Sequence, residues 1–144
     1  MNYSNSREAQ INFEEAVFLH SLAIEMSGGK DGLREKGLLE GALGRPWSGM
    51  KGVLFYNSPF RRAGALMEAI IRDHPFVDGN KRTGFLLAGY SLYKEGFDLS
   101  AENRQIVSFV VGLAEKRISQ EDMVGWIVHN CKTTIKKKQN TLES

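Results

Sequence analysis

Apolar residues recur along most of the chain at intervals of three and four positions, which is the spacing of one face of an α-helix. The clearest case follows Ser58, where Phe60, Ala63, Met67 and Ile70 share one face. The pattern predicts helices at about residues 12–26, 34–44, 58–74, 81–95, 100–114 and 119–130. Because no repeat or linker divides the chain, we predict a single all-α domain over residues 1–144.

Polar residues and a proline mark the ends of these helices. Residues suited to the N-cap position stand at four of the predicted starts: Asn12, Ser58, Ser100 and Ser119. Pro75 disfavours helical geometry at the residue before it, so the third helix should end near His74. The helical core then covers about residues 12–130, and we expect the polar tail at 132–144 to fray.

The stretch at 45–59 breaks the helical pattern, because it is rich in glycine and aromatic residues. Within it, the sequence GVLFY at 52–56 has the composition of a short extended segment. The sequence therefore predicts a small β-hairpin flap near residues 47–56, as the one departure from an all-helical fold.

Composition is typical of a globular protein. Hydrophobic residues make up 42% and charged residues 25% of the chain, which excludes wholesale disorder. The net charge of +2 gives no reason to expect a nucleic-acid partner. A single cysteine, Cys131, cannot form an internal disulfide, and no stretch has the apolar length of a membrane helix or a signal-peptide core. We therefore expect a cytoplasmic protein with neither a membrane nor a nucleic-acid partner.

The sequence HPFVDGNKRTG at residues 74–84 places Lys81 and Arg82 at the start of the fourth predicted helix. Basic residues are unfavourable there, because a helix start carries about half a positive charge and each cation costs about 0.3–1 kcal/mol. Asn80 is a good N-cap candidate, and Gly79 permits a left-handed backbone. Unpaired N–H groups in that first turn would form a site for an anion, most naturally phosphate, to which both cations would donate.

Two further side chains of this motif favour phosphate chemistry. Asp78 is a carboxylate beside the phosphate site, which is the usual position for Mg²⁺. His74 precedes the turn and can accept a proton near neutral pH. Together these are the groups that phosphoryl or nucleotidyl transfer requires. The same residues also fit a solvated Lys-Arg pair, an ordinary turn and a histidine that caps a helix, so the residues alone leave both interpretations open.

The motif resembles the signature of the Fic/Doc (Fido) family, which begins His-x-Phe-x-Asp/Glu-Gly-Asn and continues to an arginine. The segments GGKDGLREKGLLEGALGRP, at 28–46, and LLAGYSLYKEGFDL, at 86–99, also resemble the Doc, or death-on-curing, branch of that family. The resemblance covers about residues 13–128 and implies a compact helical bundle.

The resemblance also implies a role for each motif residue. His74 would be the general base that deprotonates a target hydroxyl, and Asp78 would hold Mg²⁺ beside the co-substrate ATP. The residues that would bind the phosphates are Gly79, Asn80, Lys81, Arg82 and Thr83, of which Lys81 and Arg82 also count as catalytic. The flap at 49–56 would dock a target segment, chiefly through Lys51, Gly52, Val53 and Leu54.

Two departures from the family pattern separate phosphate transfer from AMP transfer. Members that transfer AMP usually have glycine where this chain has Lys81, and a second arginine where it has Phe85. Lysine without a second arginine is the Doc pattern, which implies a toxin that transfers the γ-phosphate of ATP to a threonine of elongation factor Tu and halts translation. AMP transfer is the alternative within the enzyme class. A non-catalytic phosphate-binding or nucleotide-binding module is the alternative outside it.

The resemblance further implies restraint by a separate antitoxin. Self-inhibited members of the family carry a Ser/Thr-x-x-x-Glu-Gly/Asn helix. The nearest match here is Ser4 to Glu8 followed by Ala9, which departs from that pattern at the last position. We therefore expect a partner protein whose disordered tail folds onto this chain.

Five residues outside the motif are weaker candidates. His129 and Cys131 are two possible metal ligands without visible companions, whereas zinc needs three or four. Arg61 and Arg62 lie near a helix start, which fits either a second phosphate contact or solvated side chains, and we interpret both as solvated. His20 lies within an amphipathic helix, where we expect it at the boundary of the core.

Overall fold

The computed structural model describes residues 7–134, and in this range it confirms the all-α prediction. The α-helices are α1 (Phe13–Ser27), α2 (Lys36–Gly44), α3 (Pro59–Asp73), α4 (Asn80–Lys94), α5 (Asn103–Ala114) and α6 (Gln120–His129). Short strands form two antiparallel pairs: β1 (Gly49–Met50) and β2 (Val53–Leu54) form a hairpin, and β3 (Phe97–Leu99) and β4 (Cys131–Thr133) form a two-stranded sheet across α5 and α6. Short 3₁₀ turns cover Arg7–Ala9 and Arg45–Trp47. None of the helices in this range has the length and apolar character that a membrane crossing needs.

Helix α3 lies at the centre of the fold, because its residues are buried almost continuously along its length. One apolar cluster joins it to α1, α2 and α4, and a second joins it to α4, α5 and α6. Helix α4 packs closely against α3 at Gly84, where a Cβ would lie 3.0 Å from Ile71 Cγ1 and 3.2 Å from Met67 O. The turn that joins these two helices carries the motif.

Three of the five predicted N-caps are confirmed, and Asn80 is considered with the functional site. The side chains that accept a hydrogen bond from a first-turn N–H are those of Asn12, Ser58 and Ser119. The prediction for Ser100 is wrong, because α5 begins at Asn103 instead. The N–H of Ser100 donates to Asn130 O at 3.0 Å, so this residue extends the β3–β4 pairing rather than opening a helix.

The β3–β4 sheet was not predicted. Its strands have three residues each, which is too short for an alternating pattern to stand out in the sequence. The expectation that the tail frays from residue 132 is wrong for Lys132 and Thr133, which pair with Asp98 and Phe97. It is also wrong for Thr134, whose N–H donates to Gly96 O at 2.8 Å, and residues 135–144 of the predicted tail lie outside the described residues.

The predicted flap is confirmed as the β1–β2 hairpin, in which Met50 lies opposite Val53. Its two turn residues, Lys51 and Gly52, both have positive φ, at 54° and 79°. Two-residue turns with this backbone match the natural twist of the strands they join. The local sequence therefore suffices to form the hairpin, whereas its attachment to the helices depends on distant residues.

The interpretation of Arg62 as solvated is wrong. Its guanidinium is fully buried, and Nη2 and Nε donate to the Glu95 carboxylate at 2.8 and 3.3 Å. Nη1 donates to Tyr56 O at 2.9 Å, and the guanidinium lies 4.8 Å from the centre of the Trp47 ring. Because Trp47 and Tyr56 flank the flap, Arg62 ties both ends of the flap to α3 and to the end of α4.

We predict that Arg62→Ala lowers the free energy of unfolding by about 3–5 kcal/mol, because it leaves the Glu95 carboxylate buried without its partner. Arg61→Ala is the matched control. The Arg61 side chain is 42% exposed and lies 3.6 Å from the exposed Glu121, so its loss should cost less than about 1 kcal/mol. Urea unfolding of the two variants measures both free energies. Equal losses of stability would contradict the conclusion that the buried Arg62–Glu95 pair matters more than the exposed Arg61.

Candidate functional site

The motif forms the turn between α3 and α4. His74 ends α3 in a left-handed conformation, with φ 52° and ψ 58°, which confirms the predicted end of the helix. Its side chain is exposed and lines a cleft of about 460 Å³. The next two residues, Pro75 and Phe76, are buried, and Phe76 is only 1% exposed. The turn thus leaves His74 accessible and is anchored in the core through Phe76.

Asn80 does not cap α4, contrary to the prediction. Its side chain folds back over the turn, where Oδ1 accepts from Phe76 N and Nδ2 donates to Phe76 O, both at 3.0 Å. The N-cap position belongs to Gly79, whose φ of 76° confirms the predicted left-handed conformation. A Cβ there would lie 2.9 Å from Ile24 Cδ1, which is the end of a flexible side chain, so the left-handed backbone rather than this contact is what favours glycine. Asn80 therefore fixes the shape of the turn.

The first turn of α4 has no side-chain cap among the described residues. The N–H of Thr83 donates to Gly79 O at 2.9 Å, and the N–H groups of Asn80, Lys81 and Arg82 precede this first intrahelical bond. Backbone donors at a helix start, together with the helix dipole, favour a bound anion. These three N–H groups are the ones that a phosphate would use.

The segment at residues 28–35, called the strap below, connects α1 to α2 and lies against the turn. The N–H of Arg34 donates to Pro75 O at 2.7 Å, and the N–H of Val77 donates to Gly32 O at 2.9 Å. Because the turn belongs to no helix or sheet, its backbone groups need partners of this kind. The strap supplies them from a part of the chain distant in sequence.

The Arg34 side chain adds a second attachment between the strap and the turn. Its Nε donates to His74 O at 2.6 Å, and its Nη2 donates to Asp73 O at 2.8 Å. The last carbonyls of a helix have no intrahelical partner, and a basic side chain near the C-terminus commonly satisfies them. Arg34 therefore holds the backbone of the exposed His74 while leaving the imidazole accessible.

The Asp78 carboxylate is exposed and is held partly by the strap. Its Oδ2 accepts from Lys30 N at 3.2 Å, and its Oδ1 accepts from Gly79 N at 2.9 Å. The hydrogen bond from Lys30 and then that from Gly79, helped by the nearby Arg82 and His20, lower the pKa of Asp78 below its ordinary value. The carboxylate is therefore ionised at neutral pH and can bind a cation.

The chemistry of this site fits Mg²⁺ held jointly with phosphates. Mg²⁺ takes oxygen ligands and is commonly bound by one or two carboxylates together with substrate phosphates and water. Asp78 offers such a carboxylate beside the N–H groups that begin α4. Across residues 7–134 there is no group of three His, Cys, Asp or Glu side chains that could hold a metal by itself. A metal ion at Asp78 would thus depend on a bound nucleotide for its other ligands.

Lys81 and Arg82 are exposed, whereas Thr83 is not. Both cations line one end of a groove of about 550 Å³ between α4 and α5. Arg82 Nη1 makes long hydrogen bonds to Ala23 O and Gly28 O, at 3.4 and 3.3 Å, at the end of α1. Thr83 is fully buried and its N–H is engaged within the helix, so we leave it out of the candidate phosphate site.

The candidate base and the candidate phosphate-binding cations open towards different clefts. His74 lines a cleft with Glu68, whereas Lys81 and Arg82 line the groove along α4. The cleft at His74 is connected to the base of the flap, because Glu68 Oε1 accepts from Arg45 Nη2 at 3.1 Å. The motif therefore presents its base on the flap side and its cations on the α4 side.

Three residues that support the turn were not recognised from the sequence: His20, Asp31 and Arg34. The expectation that His20 lies at the boundary of the core is wrong, because it is only 1% exposed and its Nε2 lies 2.7 Å from Asp78 O. These residues come from α1 and the strap, and they meet the turn only through tertiary contacts. Local spacing carries no sign of such contacts.

Comparison with known proteins places the site within a family. The model of the Fic/DOC family matches residues 10–92. The chain is 39% identical to Toxin Doc of Mycolicibacterium smegmatis over 89 residues, which are 62% of this chain and 66% of that protein. It is also 38% identical over 55 residues to a Fido domain-containing protein of Dictyostelium discoideum, covering 35% of this chain and 38% of that protein. The chain thus spans about two thirds of the length of the first relative and a smaller share of the length of the second.

We predict that Gly29→Ala disturbs Asp78, whereas Gly28→Ala does not. The two glycines have φ of 112° and 87°, so alanine costs each variant roughly 1–3 kcal/mol of backbone strain. At Gly29 a Cβ would lie 2.6 Å from Asp78 Oδ2, whereas at Gly28 nothing lies within 4 Å. In Gly29→Ala the carboxylate should therefore lose its hydrogen bond from Lys30, and the pKa of Asp78 should rise towards its ordinary value.

Carbon-13 NMR titration of Asp78 Cγ measures this pKa in the natural protein and in both variants, and urea unfolding measures the backbone strain. Gly28→Ala is the control for strain, because it lacks the steric conflict with the carboxylate. An unchanged pKa in Gly29→Ala, or the same rise in both variants, would show that the strap does not hold Asp78.

Proposed function

Because the chain belongs to the Fic/DOC family, we propose that it is a Doc-like toxin of a toxin–antitoxin pair, which transfers the γ-phosphate of ATP to a protein hydroxyl in a Mg²⁺-dependent reaction. The proposed acceptor is a threonine of elongation factor Tu, and the consequence is a halt in translation. The likeness to Toxin Doc over 62% of the chain supports the toxin assignment. The resemblance of the motif to the Doc branch supports the choice of reaction and target.

The observation that favours phosphate transfer over AMP transfer is the environment of Phe85. AMP-transferring members of the family usually have a second arginine at this place. Here Phe85 packs against Trp126, with ring centres 6.1 Å apart in an edge-on arrangement, and contributes to the apolar cluster around α5 and α6. The position therefore supplies no phosphate-binding cation, and phosphate binding rests on Lys81, Arg82 and the N–H groups of α4.

In the proposed reaction, His74 accepts the proton of the threonine hydroxyl, because its imidazole is exposed at the end of α3. The hydroxyl oxygen forms a bond to the γ-phosphorus, and the bond from that phosphorus to the β–γ bridging oxygen breaks. ADP leaves with the electron pair, and the proton stays on His74. The α4 N–H groups, Lys81 and Arg82 stabilise the charge of the transferring phosphoryl group. Mg²⁺, when bound at Asp78, would neutralise further phosphate charge.

We assign target docking to the flap, chiefly to its turn residues Lys51 and Gly52 and to strand β2, Val53–Leu54. Large apolar side chains are exposed along this hairpin, namely Met50, Val53 and Phe55, at 63%, 67% and 61%. An extended target segment could pair with a strand edge and place side chains against these residues. Since Arg62 holds the backbone of Tyr56 at the base, the flap has a fixed attachment from which to present the target towards His74.

The proposal includes an antitoxin, which the resemblance implies, and a cytoplasmic location, which is the expectation drawn from composition. Within the family, self-inhibition depends on an arginine at the position of Phe85 and on a helix that supplies a glutamate partner. The first of these is absent here. The residue Ser4, which begins the nearest match to that helix, lies outside the described residues. Restraint by a separate protein is therefore the regulation that we propose.

We predict that elongation factor Tu, incubated with this protein, ATP and Mg²⁺, gains the mass of one phosphate. His74→Ala should slow this transfer by about 10²–10⁴-fold, which is the usual contribution of a general base, while ATP binding is retained. His129→Ala is the matched control, because His129 is also an exposed histidine at the end of a helix but lies in α6, away from the turn. Intact-mass spectrometry measures transfer, and calorimetry measures ATP binding.

Three other results would each overturn a part of this proposal. A gain of one AMP would identify an adenylyltransferase and overturn the assignment of phosphate transfer. Full transfer by His74→Ala would overturn the assignment of the base. No modification of elongation factor Tu or of any protein in a whole lysate, despite ATP binding, would favour the non-catalytic binding module.

A further inference from the structure

His20 is a buried histidine that contacts the turn from the middle of α1. It is only 1% exposed. Its ring stacks on Phe76, with centres 3.9 Å apart and planes 6° from parallel. Its Nε2 lies 2.7 Å from the backbone oxygen of Asp78. Because a carbonyl can only accept, Nε2 must carry a hydrogen and donate it.

The other ring nitrogen faces Asp31 of the strap. Nδ1 lies 3.3 Å from Asp31 Oδ1, and that oxygen also accepts from Ser21 Oγ at 3.1 Å and from Gly32 N at 2.8 Å. Nε2 thus donates to Asp78 O, while Nδ1 faces the Asp31 carboxylate across a longer contact. Asp31 and Phe76 together leave the ring little freedom to turn. The donor for Asp78 O is therefore held in place from two sides.

The Asp78 carbonyl belongs to the peptide bond that joins Asp78 to Gly79, the N-cap residue of α4. The N–H of that same peptide bond donates to Asp78 Oδ1 at 2.9 Å. One peptide plane thus connects the His20 ring, the exposed carboxylate and the start of α4. If this plane rotates, both the carboxylate and the first-turn N–H groups change direction. A displacement of about 1 Å in such groups can reduce catalysis about a hundredfold.

We propose that His20 is a positioning residue for the transfer reaction, which acts by fixing the Asp78–Gly79 peptide plane, and this inference rests on the proposed function. His20 touches neither the acceptor nor the nucleotide in this arrangement. His20 acts by orienting the backbone of Asp78, just as residues that hydrogen-bond to the ligands of a metal ion orient those ligands without touching the metal. Loss of the hydrogen bond should therefore lower the rate of transfer more than it weakens nucleotide binding.

Two substitutions separate the hydrogen bond from the packing. His20→Phe keeps a flat ring against Phe76 but removes the donor. His20→Gln loses the ring but supplies an amide N–H at about the same distance from the backbone. His129→Phe is the matched control, because it makes the same change at an exposed histidine of α6. With these variants we measure kcat and KM for ATP, and the NMR shifts of the Asp78 carbonyl carbon and the Gly79 amide nitrogen.

We expect His20→Phe to lower kcat about 10- to 100-fold with less than about a threefold change in KM, and to move both NMR resonances upfield. His20→Gln should recover most of kcat and most of both shifts. In an Asp78→Ala background, His20→Phe should lower kcat little further, because His20 is proposed to affect the reaction by orienting Asp78. If His20→Phe does not fold, Asp31→Ala provides the test, and it should move the same resonances in the same direction.

Unchanged resonances in His20→Phe, or equal kcat in His20→Phe and His20→Gln, would overturn the proposal. The shifts do not depend on turnover. If the natural protein shows no transfer while the resonances respond as expected, the proposed function is wrong, but the conclusion that His20 fixes the Asp78–Gly79 peptide plane is supported. If transfer occurs and the resonances do not respond, the inference about His20 fails alone.

Discussion

An irregular turn that carries reactive side chains cannot satisfy its own backbone hydrogen bonds, and this constraint shapes the surroundings of the motif. Between α3 and α4 the chain passes through left-handed conformations at His74 and at Gly79, so neither a helix nor a sheet pairs the groups in between. Their partners come from the strap, from Asn80 and from His20. Buried polar groups without such partners would destabilise the turn.

The same contacts hold the groups to which we assign phosphate and metal binding. Electrostatic stabilisation of a transferring phosphoryl group is effective when donors and charges are already oriented and need not reorganise during the reaction. The strap holds the Asp78 carboxylate and the backbone of His74, while His20 and Asp78 hold the peptide bond that leads into α4. Arg62 gives the flap a comparable anchor on the other side of α3. The turn proposed to bind the nucleotide and the flap proposed to bind the target are thus both attached to the central α3–α4 pair.

The sequence could predict those features whose cause is local. Apolar spacing and capping residues located the helices, and glycine with aromatic residues indicated the flap. The candidate site was also recognisable, because the residues of the motif lie close together in the chain. The supporting contacts were not predictable, since they join distant segments. Arg62 lies next to a helix start and looks solvated until its buried partner Glu95 is known. Asn80 is a residue type that commonly caps helices, but its side chain accepts a hydrogen bond from the N–H of Phe76, which precedes it in the chain.

A crystal structure with Mg²⁺ and a non-hydrolysable ATP analogue would test most directly whether this turn is a preformed nucleotide-phosphate site. We expect a phosphate on the N–H groups of Asn80, Lys81 and Arg82, the metal ion on Asp78, and the terminal phosphate nearest to His74. The backbone from His74 to Asn80 should keep the conformation described here. A nucleotide bound elsewhere, or a turn that rearranges to receive it, would contradict the conclusion that the strap, Asn80 and His20 hold this site ready.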